Sequence, residues 1–363
     1  MKRIEVEQNT ILVGLVGSHA YGTSRPDSDT DYRGVFIAPK RFYLGIETVE
    51  QKDGGWNEAG VIPFLDNNAD TTIYELRKFI KLLAGANPNI LELLWLRTYP
   101  FLTDIGRDLI NQRSGFLSKK VKKTYSGYAY AQIRKIETHR KWLLNPPEKK
   151  PTHKDFQLEE PEIFTKSELN AFLGYVYALI RERVEFLSEA EQLYALLTED
   201  IDIKGVLLHH PLPTEAIAYT QKLTRSNSDY IGLLQRNQAY IKALTEWDSY
   251  QSWKKNRNVA RAGMETKAGY DLKHAMHCVR LIRSGTEILR DGIVLVDRRE
   301  AGDAKELKAI LNGDYSYESL TELVKASMAG LEDIYKKSTL PDRPDIGQVN
   351  DICVKLVETW GLR

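Results

Sequence analysis

The first third of the chain carries short apolar runs separated by turn residues, a pattern typical of β-strands. Runs of this kind are Ile11–Gly17, Arg33–Pro39 and Val61–Leu65. In Thr71–Gly85 the apolar spacing changes to three and four residues, which predicts a helix with one apolar face. The apolar positions of that helix are Ile73, Leu76, Phe79, Ile80 and Leu83. A further helix is predicted over Asn87–Leu96.

After residue 115 the apolar pattern is helical almost throughout. The predicted helices are Ser118–Leu144, Ser167–Glu191, Asp229–Trp247, Gly269–Arg283, Asp303–Leu311 and Tyr317–Lys336. Residues 145–165 are rich in Pro and charge, so a mobile loop is predicted there. The predicted fold class is α+β, with a small mixed sheet and its helices at residues 1–115 and a larger all-helical domain at 116–363.

The charge balance carries no overall signature of a nucleic-acid partner, since 51 Lys and Arg residues stand against 50 Asp and Glu. The two cysteines, Cys278 and Cys353, are too few for a disulfide framework or a thiolate metal site. No apolar run approaches the ~18 residues of a membrane span, and the first residues do not form a signal peptide. A soluble, cytoplasmic protein without a membrane partner is therefore expected.

A Gly-Ser pair follows the first predicted strand directly and begins a short predicted helix. Glycine allows backbone amides to approach a ligand closely, and the amides at a helix start favour phosphate. The Ser18 hydroxyl can donate to the same phosphate oxygens. Gly17 and Ser18 therefore form a candidate phosphate site, although a Gly-Ser turn is by itself a common structural feature.

Two aspartates, Asp29 and Asp31, follow about a dozen residues later. If they lie on one strand, their carboxylates project from the same face, where they repel each other unless cations separate them. Such hard oxygen ligands suit Mg²⁺ or Mn²⁺. The alternative is an ordinary solvated turn, and only the neighbouring Gly-Ser turn favours the metal site.

In this order, Gly17–Thr23 and Ser28–Asp31 resemble the nucleotidyltransferase signature of the DNA polymerase β superfamily. That signature reads Gly-Ser, Gly-Thr and then Ser-Asp-x-Asp. Asp31–Pro39, Glu75–Trp95 and Lys267–Leu289 are in addition similar to the RNA repair pathway DNA polymerase β-like family. The resemblance implies a polymerase β-like domain and a template-independent nucleotidyltransferase that uses an NTP and two Mg²⁺ or Mn²⁺ ions.

The same resemblance assigns roles to the matched residues. Gly17 and Ser18 would bind the triphosphate, and Asp29 and Asp31 would hold the metal ions. The superfamily also uses a third carboxylate, on a neighbouring strand, that orients the attacking hydroxyl.

Asp70, just before the predicted helix, matches this third position best and would also be a metal ligand. Asp66 and Glu75 remain alternatives.

The helical half offers a basic face. Lys273, His277 and Arg280 are spaced at i, i+4 and i+7, so they share one side of a helix. The resemblance favours contact with the nucleotide over a merely solvated face. A metal role for His274 and His277 is disfavoured, because the sequence shows no third ligand.

A second basic segment, Lys119–Lys141, interleaves lysines and arginines with Tyr125, Tyr128 and Tyr130. Positive charge follows a phosphate backbone, and aromatic rings stack on unpaired bases. The alternative is an amphipathic helix with half-buried tyrosines. The segment is the candidate site for a single-stranded RNA or other nucleic-acid acceptor.

The predicted function is transfer of NMP from an NTP to a hydroxyl acceptor, with an RNA 3′ end favoured. The same signature also serves enzymes that modify proteins or small molecules, as in toxin–antitoxin pairs. A non-catalytic nucleotide- or RNA-binding regulator is the alternative from another class.

Overall fold

A computed structural model describes residues 1–26, 28–54, 62, 65, 69–158, 228–257 and 259–361. The chain forms two compact units, one of residues 1–144 and 260–363 and the other of residues 145–259. The predicted helix Ser167–Glu191, the end of the predicted loop 145–165 and most of the predicted strand Val61–Leu65 lie outside the described residues. The predicted domains, residues 1–115 with the catalytic signature and residues 116–363 with the nucleotide- and acceptor-binding segments, stay a prediction.

The described residues of the first unit contain a mixed five-stranded sheet with the order β3-β4-β2-β1-β5. Its strands are β1 Thr10–Val16, β2 Asp31–Phe36, β3 Gln51–Asp53, β4 Asp70–Glu75 and β5 Phe101–Leu102. Strand β1 is antiparallel to β2 and β5, whereas β4 is parallel to β2 and antiparallel to β3. Because β2 and β4 are parallel and in register, their first residues lie side by side at the same end of the two strands.

The α-helices are, in chain order, α1 Arg3–Gln8, α2 Gly17–Tyr21, α3 Arg41–Leu44, α4 Leu76–Ala84, α5 Pro88–Leu91, α6 Asp104–Asn111, α7 Lys120–Leu144, α8 Ser228–Asn256, α9 Val259–Ala268, α10 Leu272–Asp291, α11 Ala304–Asn312, α12 Tyr317–Lys337 and α13 Ile346–Trp360. The sheet near the N-terminus and the helical remainder confirm the α+β class. In the described part of the chain, no helix combines the length and apolar character needed to cross a membrane.

Helix α10 lies at the centre of the first unit, where it packs against α7, α11 and α12. Its apolar face is completely buried at Ala275, Cys278 and Val279. Gly285 permits close approach of α7, because a β-carbon at this position would lie 3.0 Å from the Tyr125 Cβ atom. The sheet-bearing unit therefore depends on a helix from the last third of the chain.

The prediction of one helix over Thr71–Gly85 is wrong in its first part. Residues Asp70–Glu75 form β4, and α4 begins only at Leu76. The run Thr-Thr-Ile-Tyr is β-branched and aromatic, which favours an extended chain that pairs with β2. Glu75 then caps the helix, since its side chain accepts a hydrogen bond from the Arg77 amide.

Candidate active site

The turn after β1 depends on a glycine with a left-handed backbone. Gly17 has a φ of +69°, a conformation in which a side chain is strained. A β-carbon on Gly17 would also lie 2.6 Å from the Asp31 Oδ2 atom. The carboxylate of Asp31 therefore lies directly against the turn, which brings the two halves of the signature together.

Three side chains in the same loop carry polar atoms without a hydrogen-bond partner among the described residues. The buried His19 Nε2 and Thr23 Oγ1 atoms have no hydrogen-bond partner among the described residues. The half-buried Ser18 hydroxyl likewise makes no hydrogen bond to any residue that the structure describes. Buried polar groups normally find partners, so these atoms fit a site that binds a polar molecule.

Two carboxylates meet at the edge where β2 and β4 begin. Asp31 and Asp70 are opposite each other in the strand register. The Asp70 amide donates to the Thr30 carbonyl oxygen at 3.1 Å, which extends the pairing by one residue. Asp70 is therefore the first residue of the neighbouring strand, whereas the sequence predicted that it lies just before a helix.

Asp29 lies in the loop before β2 and is exposed. The prediction that it shares a strand with Asp31 is therefore wrong. The reason is that β1 ends at Val16 and β4 begins at Asp70, and both of these residues are opposite Asp31, so the two neighbouring strands go no further toward Asp29.

Negative charge accumulates around Asp31. Burial raises the pKa of this half-buried carboxyl group, and the charges of Asp70 and Asp29 raise it further. Arg33 and Lys273 oppose the shift. Arg33 also donates to the Asp70 Oδ2 atom at 3.1 Å. The carboxylates outnumber the cations, and their hard oxygen atoms fit a divalent ion such as Mg²⁺ or Mn²⁺.

The alternatives to Asp70 have other positions. Asp66 lies outside the described residues. Glu75 is buried and its oxygen atoms are already engaged, one by the Tyr43 hydroxyl at 2.7 Å and the other by Arg77. Among the described alternatives, Asp70 is the carboxylate that lies beside Asp31.

The basic face of α10 points toward α2. Lys273 is exposed, and its charge lowers the pKa of Asp31. His277 lies edge-on to the ring of Tyr21, with 6.3 Å between the ring centroids. Burial holds the pKa of His277 well below its usual range, and the charges of Arg280 and Lys273 add to this. The His277 imidazole is therefore neutral at neutral pH.

Arg280 lies beneath the α2 turn and is buried. Its guanidinium stacks on Tyr21, 3.9 Å from the ring centroid, and forms an ion pair with Glu92. Glu92 also accepts a hydrogen bond from the Tyr21 hydroxyl at 2.8 Å. The sequence indicated the charge of Arg280 but not this buried partner, which is distant in the chain.

A further link reaches the signature from residues that sequence reasoning missed. The Arg298 amide donates to the Tyr21 carbonyl oxygen at 3.1 Å, and the Arg298 side chain is buried among Glu287 and Asp303. Arg25 donates to the Leu311 carbonyl oxygen at 2.9 Å. No sequence pattern marks these residues, because each contact joins distant parts of the chain.

The positive-φ glycine and the paired carboxylates all lie in the first part of the chain, and the comparison with protein families covers the same part. Residues 1–154 match the RNA repair pathway DNA polymerase beta family. The match confirms the resemblance seen in the sequence. The description of that family names a polymerase beta and RNA repair.

Two curated relatives are similar to part of the chain. One is the uncharacterized 38.9 kDa protein in the nrdC-mobD intergenic region of Enterobacteria phage T4, 32% identical over 130 residues, or 35% of this chain and 38% of that protein. The other is the uncharacterized protein YcgL of Bacillus subtilis (strain 168), 34% identical over 99 residues, or 26% of this chain and 34% of that protein. The chain thus spans little more than a third of the length of these relatives. No solved structure matches it.

A second cluster lies where α7 meets the start of α10. Its residues are His139, Asp271 and His274, each of which offers one ligand atom within 4.8 Å of the others. Hydrogen bonding from His139 and the charge of His274 overcome burial and lower the pKa of Asp271 to about 2. Burial lowers the pKa of His274 to about 4. The sequence showed no third ligand for the pair His274 and His277; the structure instead brings His139, from a distant helix, and Asp271 beside His274.

Helix α7 presents a basic and aromatic face to solvent. Tyr125 is completely buried, whereas the side chains of Tyr128 and Tyr130 are 37% and 57% exposed. Lys123 and Arg134 are exposed and share a face with Tyr130, because they lie seven residues before it and four residues after it. Neither basic side chain forms an ion pair with a described residue. The segment Lys119–Lys141 thus retains exposed charge beside an exposed ring.

Proposed function

We propose that the chain is a metal-dependent nucleotidyltransferase with a polymerase β-like catalytic domain, which transfers NMP from an NTP to a hydroxyl group on RNA. The observation that carries the proposal is the position of Asp31, against the Gly17 turn and beside Asp70. A phosphate-binding turn and paired carboxylates at one place match the requirements of nucleotidyl transfer.

The donor side of the reaction falls to the turn and to α10. The backbone at Gly17 and the hydroxyl of Ser18 bind phosphate oxygens of the NTP. Lys273, exposed beside Asp31, and His277 extend this site from the helical part of the unit. Arg280 is engaged by Glu92, so it supports the turn from below and reaches the nucleotide only if that ion pair opens.

The acceptor side of the reaction falls to the carboxylates. Asp29, Asp31 and Asp70 would hold Mg²⁺ or Mn²⁺. The bound ions would lower the pKa of the attacking hydroxyl and neutralise the leaving pyrophosphate. The acceptor oxygen forms a bond to the α-phosphorus while the bond from that phosphorus to the bridging oxygen breaks. Asp70, held by Arg33, accepts the hydroxyl proton directly or through water.

The exposed face of α7 is the proposed contact for single-stranded RNA. Lys123 and Arg134 would neutralise phosphates, and Tyr130 would stack on a base. The family's link to RNA repair supports an RNA 3′ end as the acceptor.

The test is to incubate the full chain with each labelled NTP and Mg²⁺ or Mn²⁺, together with single-stranded RNA, single-stranded DNA or no acceptor. The Asp29→Asn/Asp31→Asn variant is run in parallel. Asp333→Asn/Asp351→Asn, which changes two exposed carboxylates elsewhere, is the matched control.

Extension of RNA that the first variant loses and the control retains supports the proposal. Label on the protein itself would instead favour a protein-modifying enzyme. NTP binding without incorporation into any acceptor would overturn the enzyme assignment in favour of a regulator.

A further inference from the structure

The cluster of His139, Asp271 and His274 lies outside the carboxylate site and has no part in the proposed transfer reaction. Its side chains come from α7 and from the first turn of α10, which pack against each other. They are partly buried, with side-chain exposures of 14%, 11% and 22%. The cluster is therefore shielded from bulk solvent but not closed.

The two carboxylate oxygens of Asp271 make different contacts. Oδ1 accepts a hydrogen bond from the His274 amide at 2.9 Å and caps α10. Oδ2 faces the imidazoles, 2.8 Å from His139 Nδ1 and 3.8 Å from His274 Nε2. One carboxylate oxygen is thus held by the helix, while the other is presented between two rings.

Gln132 fixes the orientation of the second imidazole. Its Oε1 atom lies 2.6 Å from His274 Nδ1. Because an amide oxygen only accepts, this contact requires the proton on Nδ1, which leaves the lone pair on Nε2, 3.8 Å from Asp271 Oδ2. Metal-binding histidines usually have such a partner on the nitrogen that does not bind the metal.

The distances among these atoms suit a tetrahedral metal ion. Bonds of about 2.0–2.1 Å at tetrahedral angles place two ligand atoms roughly 3.3 Å apart. The separations of 2.8 and 3.8 Å bracket that value. All three ligand atoms lie within 4.8 Å of one another, so side-chain movement toward this spacing would place them around one ion.

The donor set decides which metal fits. Two imidazoles and one carboxylate suit Zn²⁺ or a similar transition metal, whereas Mg²⁺ prefers oxygen ligands alone. Lys135 and Lys273 repel a cation, since both lie near enough to lower the pKa of His274. Both lysines are exposed, so water and salt screen the repulsion.

We propose that His139, Asp271 and His274 bind one Zn²⁺-type ion that links α7 to the start of α10. Three protein ligands leave a fourth position for water or another oxygen ligand. This site is separate from the proposed Mg²⁺ site at Asp29, Asp31 and Asp70 in both position and ligand chemistry.

The test uses the full chain without a histidine tag, stripped with a chelator and titrated with Co²⁺ in excess Mg²⁺. The Asp29→Asn/Asp31→Asn background removes binding at the carboxylates, so the result is independent of the transfer activity. We expect one equivalent of Co²⁺ with visible d–d absorption that Zn²⁺ abolishes. Absence of stoichiometric binding would overturn the proposal.

Variants then identify the ligands. His139→Asn and His274→Asn should each lose the tight site, whereas His277→Asn, on the same helix but facing Tyr21, should retain it. Gln132→Ala keeps all three ligands and should weaken binding about 10–100-fold. The Co²⁺ affinity of Gln132→Ala tests the site even if a ligand variant fails to fold. Unchanged Co²⁺ affinity in Gln132→Ala and in the folded ligand variants would contradict the assignment.

Discussion

The Oδ2 atom of Asp31 is so close to the backbone of Gly17 that a β-carbon there would lie only 2.6 Å away. The contact joins the proposed phosphate turn to a proposed metal ligand. Any side chain at Gly17 therefore has two effects, strain in a left-handed backbone and displacement of the carboxylate.

Gly17→Ala should reduce nucleotidyl transfer far more than it reduces stability. The matched control is Gly54→Ala, because Gly54 has a similar φ of +60° but no described residue within 4 Å of a β-carbon. Backbone strain of about 1–2 kcal/mol should appear in the unfolding free energy of both variants. Only Gly17→Ala should lose activity, by about 100-fold or more if the carboxylate moves. Equal activity in the two variants would show that the Gly17–Asp31 contact is unimportant.

Asp31→Asn should stabilise the metal-free protein at neutral pH. Burial raises the pKa of Asp31. The Asp31 carboxylate therefore binds a proton more tightly in the folded protein than in the unfolded chain. The stabilisation from Asp31 is therefore present at low pH and is lost as the pH rises through its folded pKa. Above that value the ionised carboxylate destabilises the fold, and asparagine removes this cost.

Melting curves of the wild type and Asp31→Asn, in EDTA and in Mg²⁺, check this prediction. Mg²⁺ should raise the wild-type Tm and have little effect on the variant. Transfer by the variant should fall roughly 100- to 1000-fold, the equivalent of about 3–4 kcal/mol of lost transition-state stabilisation. Equal Mg²⁺ shifts in both proteins would contradict the metal assignment.

Arg280→Met should destabilise the fold, because it leaves Glu92 buried without its cation. Breaking a buried pair in this way costs about 3–5 kcal/mol. The double variant Arg280→Met/Glu92→Gln should regain much of that loss, since no buried charge remains and the amide oxygen still accepts from Tyr21. Denaturant unfolding measures both effects. A raised KM for NTP with unchanged stability would instead indicate direct contact with the triphosphate.

Lys123→Ala/Arg134→Ala should weaken RNA binding and flatten its salt dependence, by about 0.7 in the log–log slope for each phosphate that is no longer neutralised. Tyr130→Ala should cost about 1–3 kcal/mol if the ring stacks on a base. Lys305→Ala/Lys308→Ala, on the exposed side of α11, is the control for nonspecific loss of charge. Binding titrations at several salt concentrations distinguish these outcomes. The same slope in both charge variants would place the RNA elsewhere.

The sequence predicted those parts of the fold and site whose residues lie close together in the chain. Strand β1, the Gly17 turn and β2 follow one another within a few dozen residues, so their pattern is readable without knowledge of the rest. Helices α7, α11 and α12 likewise lie close to their predicted bounds. For β4 the prediction was wrong. Ile73 continues the helical spacing of α4, so the sequence predicted a helix, but Ile73 pairs with Gly34 of β2 and is extended.

The remaining features depend on contacts between distant residues. Arg280 appears in the sequence as one more charge on a basic face, whereas its partner Glu92 is 188 residues away. His139 and Asp271 are separated by 132 residues. A single sequence carries no signal for such pairs, since neither spacing nor composition shows which side chains will meet once the helices pack.

The hydrogen bond from the Arg298 amide to the Tyr21 carbonyl has a consequence for how the protein is made. The signature leaves the ribosome early, but the residue that closes its turn follows roughly 280 positions later. At about 5–20 residues per second, the nascent chain waits roughly 15–55 s for that partner. A product of a broken or interrupted message that stops before Arg298 therefore carries the complete signature, yet lacks the support that holds the turn in place.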